Sequence, residues 1–180
     1  MDRDLYLSPP ALDLSQAYLA FYQEWVETGE RMIPWVIAHD PTDFPVLVAF
    51  LEDQAAGRGL APDRVPSTTF WLLGPEREVL GAVNIRHRLN GLLLREGGHI
   101  GYGIRPSRRR RGYASRLLAL AIDKAAELGI ERALVCCDLA NEASARTILR
   151  NGGIEDTSYT DDAGRVILRF WIGTARGEAL

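Results

Sequence analysis

Cysteine is scarce: Cys136 and Cys137 are the only two in 180 residues. Side by side on a strand they point to opposite faces and cannot pair, so a disulfide-stapled fold is excluded. The three histidines, His39, His87 and His99, form no metal motif, and no zinc-ligand spacing surrounds the cysteines. No metal dependence is therefore expected. No apolar run approaches the roughly 20 residues of a membrane span, so no membrane partner is expected. The opening Met1-Asp2-Arg3-Asp4-Leu5 is too charged for a secretory leader, which makes the cytoplasm the expected compartment. A formal net charge of −3 argues against nucleic acid as a general partner. Positive charge is nonetheless concentrated at Arg105 and at Arg108 through Arg111, and that concentration needs a reason.

The length suits one domain over residues 1–180, large enough to bury a core unaided. Apolar residues at helical spacing predict helices from Leu12 to about Arg31 and from Phe44 to Ala56, joined by a loop carrying Pro34 and Pro41. Strands are expected at Ser67–Leu73 and Val79–Arg88, and again at His99–Ile104, where Gly101 and Gly103 mark a bulge or the close approach of another group. A helix opening after Gly112 carries Ala114, Leu117, Leu118, Ala121, Ala125 and Leu128 on one face, with Gly129 as its C-terminal cap. The continuously apolar Arg132–Asp138 reads as a strand buried on both faces, completing a strand-helix-strand unit. A helix over Ala143–Arg150 and a closing strand over Val166–Ile172 finish the chain.

Chemistry concentrates in Ile104-Arg105-Pro106-Ser107-Arg108-Arg109-Arg110-Arg111-Gly112-Tyr113-Ala114-Ser115, a turn from a strand into a helix N-terminus. Unpaired amides and the positive end of the helix dipole there suit a pyrophosphate, and Gly112 and Ala114 keep side chains out of its way. The spacing is neither a dinucleotide fingerprint nor a P-loop.

The pattern Arg109-x-x-Gly112-x-Ala114 resembles the acetyl-CoA-binding motif of the GNAT superfamily of N-acetyltransferases. The preceding strand, the Arg105-Pro106 step, the following amphipathic helix, and the strand ending in Asp138-Leu139-Ala140-Asn141-Glu142-Ala143-Ser144 stand in the superfamily's order. Within it, Thr69-Phe70-Trp71, Ile85 to Asn90 and Gly97 to Gly103 resemble an uncharacterised bacterial group of predicted acetyltransferases. The resemblance implies an α/β (α+β) fold: a mixed, mostly antiparallel sheet of six to seven strands with about four helices, splayed between its central strands. Acetyl-CoA is the implied co-substrate. The pyrophosphate would fall to the amides of Arg109, Arg110, Arg111, Gly112, Tyr113, Ala114 and Ser115. The bulged backbone at Tyr102 and Ile104 would meet the pantetheine and thioester, and Asn141 the cofactor arm.

The implied reaction is direct attack of a primary amine, on a small molecule or a peptide, upon the thioester. Many relatives place a tyrosine acid seven residues after the asparagine, but here that position is Ile148. Ser144 is the nearest substitute for protonating the departing thiolate; alternatively it caps the helix that starts there. Base candidates are Glu96, His99, His87 and Asp138, none set apart by sequence. Arg86 and Arg88, flanking His87, either bind a substrate carboxylate or face solvent. The missing tyrosine leaves a second reading, a catalytically silent acyl-CoA-binding domain. The aromatic C-terminal strand could serve a homodimer, although no sequence feature requires one.

Overall fold

The computed structural model describes residues 5–174. The charged segment Met1 to Asp4, on which the compartment reading rests, lies outside them. Among the described residues no helix is long and apolar enough to cross a membrane.

Helix α1 (Ser15–Thr28) buries Tyr18, Phe21 and Trp25, one apolar stripe at helical spacing, and ends at Gly29 in the left-handed conformation. A 3-10 turn over Leu12–Leu14 precedes it, so the first predicted helix is shorter than the apolar spacing suggests. Helix α2 (Phe44–Ala56) starts where Asp43 accepts the Val46 amide and ends at Gly57, also left-handed. Both helices pack on one face of the sheet formed by β1 (Tyr6–Ser8), β2 (Ser67–Leu73), β3 (Val79–Arg86) and β4 (Ile100–Ile104). Trp71, Leu73, Val79 and Ala82 point into that layer. Truncating one of its buried rings would cost about 3–5 kcal/mol.

The other face carries Leu72, Leu80, Val83, Ile85, Ile100 and Ile104 against helix α3 (Tyr113–Glu127). Strand β5 (Arg132–Asp138) follows, then helix α4 (Glu142–Arg150), β6 (Ile154–Thr160) and β7 (Val166–Gly173). These last strands form a second antiparallel sheet ordered β5-β7-β6. The four-plus-three strands and the splay between them match the expected fold class.

The two sheets meet at one end of β4. The His99 amide donates to the Leu134 carbonyl at 2.7 Å, and the Leu134 amide donates to His99 Nδ1 at 3.0 Å. Beyond that clasp β4 and β5 separate, leaving a gap. The expected bulge in β4 is absent: its register with β3 runs unbroken from Ile85↔Ile100 to Gly81↔Ile104, and the irregularity lies between Leu72 and Leu73 instead. The free edge of β4 comes from the missing neighbour.

The glycines of β4 serve the loop between α1 and α2. A Cβ on Gly103 would overlap the Ile33 carbonyl oxygen, and one on Gly101 would touch Pro34. The group expected against this strand on that face is therefore the protein's own chain.

The clasp makes stability depend on pH. Burial lowers the pKa of His99, with the charge of Arg86 adding to it, and burial also lowers His39 and His87. The unfolded chain therefore takes up these protons first, near its ordinary value of about 6.5. Stability is full above that pH and falls as pH drops through it. Thermal melting between pH 7 and pH 5.5 should show a declining midpoint, with a shallower decline in His99→Gln; a flat native profile would contradict this.

Candidate active site

Glu24 of α1 pins the base of the arginine turn, accepting from Arg105 Nε at 2.6 Å and from the Ser107 amide and hydroxyl at 3.1 and 3.0 Å. Arg109 is held by Glu30 at 2.9 Å and lies 4.9 Å over the Trp25 ring. Arg110 takes φ 64°, left-handed for a residue with a side chain, and Gly112 takes φ 83°. A non-glycine residue in that region costs about 1–2 kcal/mol, and such a cost persists where the surroundings impose it. Left-handed residues in such a turn converge neighbouring amides into a concavity that suits an anion. Gly112 caps α3 without a side-chain partner for its first amides. Among the described residues the amides of Arg110, Arg111, Gly112, Tyr113 and Ala114 have no backbone acceptor, whereas Arg109 and Ser115 donate to Pro106 and Gly112. The predicted run of free amides narrows accordingly to 110–114.

Of these residues Arg110, Gly112, Tyr113 and Ala114 open onto a cleft of about 600 Å³ between β4 and the N-termini of α3 and α4. Arg31, Arg108, Arg109, Arg110, Arg146 and Arg150 line it, with Glu30 the one lining acid. Its field is therefore strongly positive on a chain that is acidic as a whole.

The β4 edge supplies further amides. The Arg86 backbone amide donates to the His99 carbonyl and the Arg105 backbone amide to the Leu80 carbonyl, so odd-numbered residues of β4 bond toward β3. Tyr102 and Ile104, the even ones, turn their backbone groups to the gap. Arg109 Nε reaches the Ile104 carbonyl at 3.4 Å.

Across the gap Tyr102 Oη and Ser144 Oγ lie 3.0 Å apart. Burial pushes the Tyr102 phenol up to about 12, so it stays protonated. Asn141, not Ser144, caps α4: its Oδ1 accepts the Ser144 amide at 3.1 Å. That leaves the Ser144 hydroxyl facing Tyr102, and both residues line the cleft.

Of the predicted site residues, Tyr102, Ile104, Arg109, Arg110, Gly112, Tyr113, Ala114, Ser115, Asn141 and Ser144 line this one cleft. Arg111 does not and is exposed. Glu96 pairs with Arg165 at 2.8 Å away from the cleft lining. His99 sits buried in the clasp, its neutral lone pair taken by the Leu134 amide, so it has none left to accept a proton. His87 contacts Thr68 Oγ1 at 2.8 Å, and Asp138 accepts the Ala140 amide at 2.9 Å. None of the four base candidates lies in the cleft lining. Burial pushes the thiols of Cys136 and Cys137 up to about 12 and about 11, where a thiolate nucleophile is not available at neutral pH.

The cleft also contains Trp25, which the N-terminal helix offered as a substrate-side candidate, and residues that sequence reading passed over: Glu30, Thr147 and Arg150. Ala143, Thr147 and Arg150 recur at helical spacing behind Asn141, which was a readable signal for α4. Glu30 arrives from a distant segment and carried none.

The family model for the acetyltransferase (GNAT) domain matches residues 4–154. No curated protein sequence matches the chain. Solved structures share its fold at low identity. The microcin C7 self-immunity acetyltransferase in complex with acetyl-CoA and AMP is 15% identical with a TM-score of 0.66, covering 96% of this chain and 93% of its own. An acetyltransferase from Salmonella typhimurium that modifies the N-terminal serine of ribosomal protein L7/L12 is 14% identical, TM-score 0.66, with 96% of each chain covered. The dodecameric spermidine N-acetyltransferase from Vibrio cholerae is 13% identical, TM-score 0.63, covering 96% of this chain and 95% of that one.

Proposed function

The chain belongs to the GNAT acetyltransferase family, and on that premise we propose that it transfers the acetyl group of acetyl-CoA to a primary amine by direct attack. The observation that carries this reading is a single cleft where the unpaired amides of Arg110, Gly112, Tyr113 and Ala114, the free β4 edge and the Tyr102–Ser144 pair converge.

The donor set fits acetyl-CoA. The turn amides and surrounding arginines suit a pyrophosphate, and the Tyr102 and Ile104 edge suits the amide-bearing pantetheine arm. Bound there, acetyl-CoA would supply a thioester carbonyl, and a β4 amide would stabilise charge developing on its oxygen. The incoming nitrogen forms a bond to the carbonyl carbon as the carbon–sulfur bond breaks. Ser144 would donate its proton to the departing sulfur and be reprotonated from Tyr102, whose phenolate would take a proton back from water. The nitrogen's proton leaves to water, since the cleft's one acid, Glu30, is held by Arg109. This pair meets the need created by aliphatic Ile148 and so weighs against the silent alternative.

Removing a positioned proton donor costs roughly 100-fold or more. Ser144→Ala and Tyr102→Phe should each lower kcat by about that factor, with acetyl-CoA affinity held within a few-fold. Thiol release, followed with an amine library, is the assay; unchanged kcat in both variants would remove the pair from the mechanism. Initial-velocity plots should intersect, as a ternary complex requires. Parallel lines would point to an acetylated enzyme and revive the cysteines.

A further inference from the structure

A second cavity, of about 130 Å³, lies beside the cleft and includes Trp35, Arg64, Ser67, Arg86 and Asn90 in its lining. The Ile33-Pro34-Trp35 segment divides the two: Ile33 lines the cleft and Trp35 the cavity. On the sheet, the Arg86 guanidinium lies against Gly101, where a Cβ would stand 3.4 Å from Nη2. That places it one residue along β4 from Tyr102, whose backbone faces the gap.

Arg86 is incompletely engaged. Its Nη1 donates to the Gly97 and Gly98 carbonyls at 2.9 and 3.3 Å, while Nε and Nη2 have no hydrogen-bond partner among the described residues. Arg64 stacks on Trp35 at 4.4 Å. Neither arginine forms an ion pair with a described carboxylate. Burial, with the charge of Arg64 adding to it, lowers Arg86 to about 10, still a cation at neutral pH. Two like charges thus share a small polar cavity, one of them part-buried with its fork half free. A carboxylate relieves both the repulsion and the desolvation, and planar Nε and Nη2 match its two oxygens.

We infer that this cavity binds a carboxylate carried by the acceptor, Arg86 gripping it through Nε and Nη2, so that the enzyme acetylates small aminocarboxylates rather than polyamines. The inference rests on the acetyl-transfer reading above. A polyamine would need several acids where this cavity has only Asp63, an exposed residue. An acceptor held there by its carboxylate reaches the Tyr102 edge only across the Ile33–Trp35 segment that divides the two spaces.

The test is thiol release from acetyl-CoA with the twenty common amino acids, their carboxamides, and spermidine and spermine. For the best free amino acid, kcat/KM should exceed that of its carboxamide by at least about 30-fold, the factor that a lost charged partner costs. Arg86→Gln should abolish that preference and leave acetyl-CoA binding unchanged. Carboxamides or polyamines turned over as well as or better than the free acids would overturn the inference, and that comparison needs only the native protein. A preference that survives in folded Arg86→Gln would also overturn it. Failure of the native protein to bind acetyl-CoA is a separate result, which strikes the transfer reading itself.

Discussion

Gly112→Glu is expected to weaken acetyl-CoA binding by about three orders of magnitude while leaving the protein folded. A Cβ at Gly112 meets no atom within 4 Å, so the new side chain has room and the core is untouched. Its cost to folding is the left-handed backbone, φ 83°, about 1–2 kcal/mol. Its cost to binding is larger, because a carboxylate then stands among the free amides of 110–114. Two charges 4 Å apart near a protein surface interact by about 4 kcal/mol, which is nearly a thousandfold in affinity. Gly112→Ala carries the same backbone strain without the charge and should lose less than about tenfold. Calorimetric titration of the two variants beside the native protein separates the terms. Equal losses would show that backbone shape, not charge, governs the site.

Gly103→Ala is expected to be the most damaging methyl that can be added to β4. The new Cβ would overlap the Ile33 carbonyl oxygen and crowd Trp25 Cζ2 at 3.1 Å, and a backbone carbonyl cannot swing aside as a side chain can. Overpacking of this kind costs about 1–3 kcal/mol. Relief comes only by lifting the Ile33–Trp35 segment, the shared wall of the cleft and the arginine cavity. The acceptor's KM should therefore rise more than that of acetyl-CoA. Gly101→Ala is the comparison: its Cβ would meet the mobile end of Arg86 at 3.4 Å, an adjustment of tenths of an ångström. Chemical denaturation should rank native, Gly101→Ala and Gly103→Ala in falling order. A Gly103→Ala protein as stable as the native one would show that the loop does not rest on the strand.

Elements with strong periodicity could be read from sequence. Helix α3 shows Leu117, Leu118, Ala121 and Ala125 on one face, all buried, and β5 reads as apolar because both of its faces are covered. Strands β1 and β6 were missed for physical reasons. β1 is three residues long at a sheet edge, and β6, Ile154–Thr160, has mostly exposed residues and so lacks a buried face to give it alternation. The strand-to-helix turn at 104–115 was legible because its amides, glycine and helix start are contiguous. The Tyr102–Ser144 contact was not, since 42 residues separate its partners. His99 illustrates the same limit. Sequence offered a histidine of suitable pKa, but its role depends on Leu134, brought beside it by the crossover through α3.

Whether the gap between β4 and β5 holds acetyl-CoA can be read by equilibrium dialysis of the native protein against labelled acetyl-CoA. One mole bound per mole of chain, lost in Gly112→Glu and retained in Ser144→Ala, is the expected result. No binding by folded native protein, or binding that Gly112→Glu leaves intact, would contradict the assignment of the cleft.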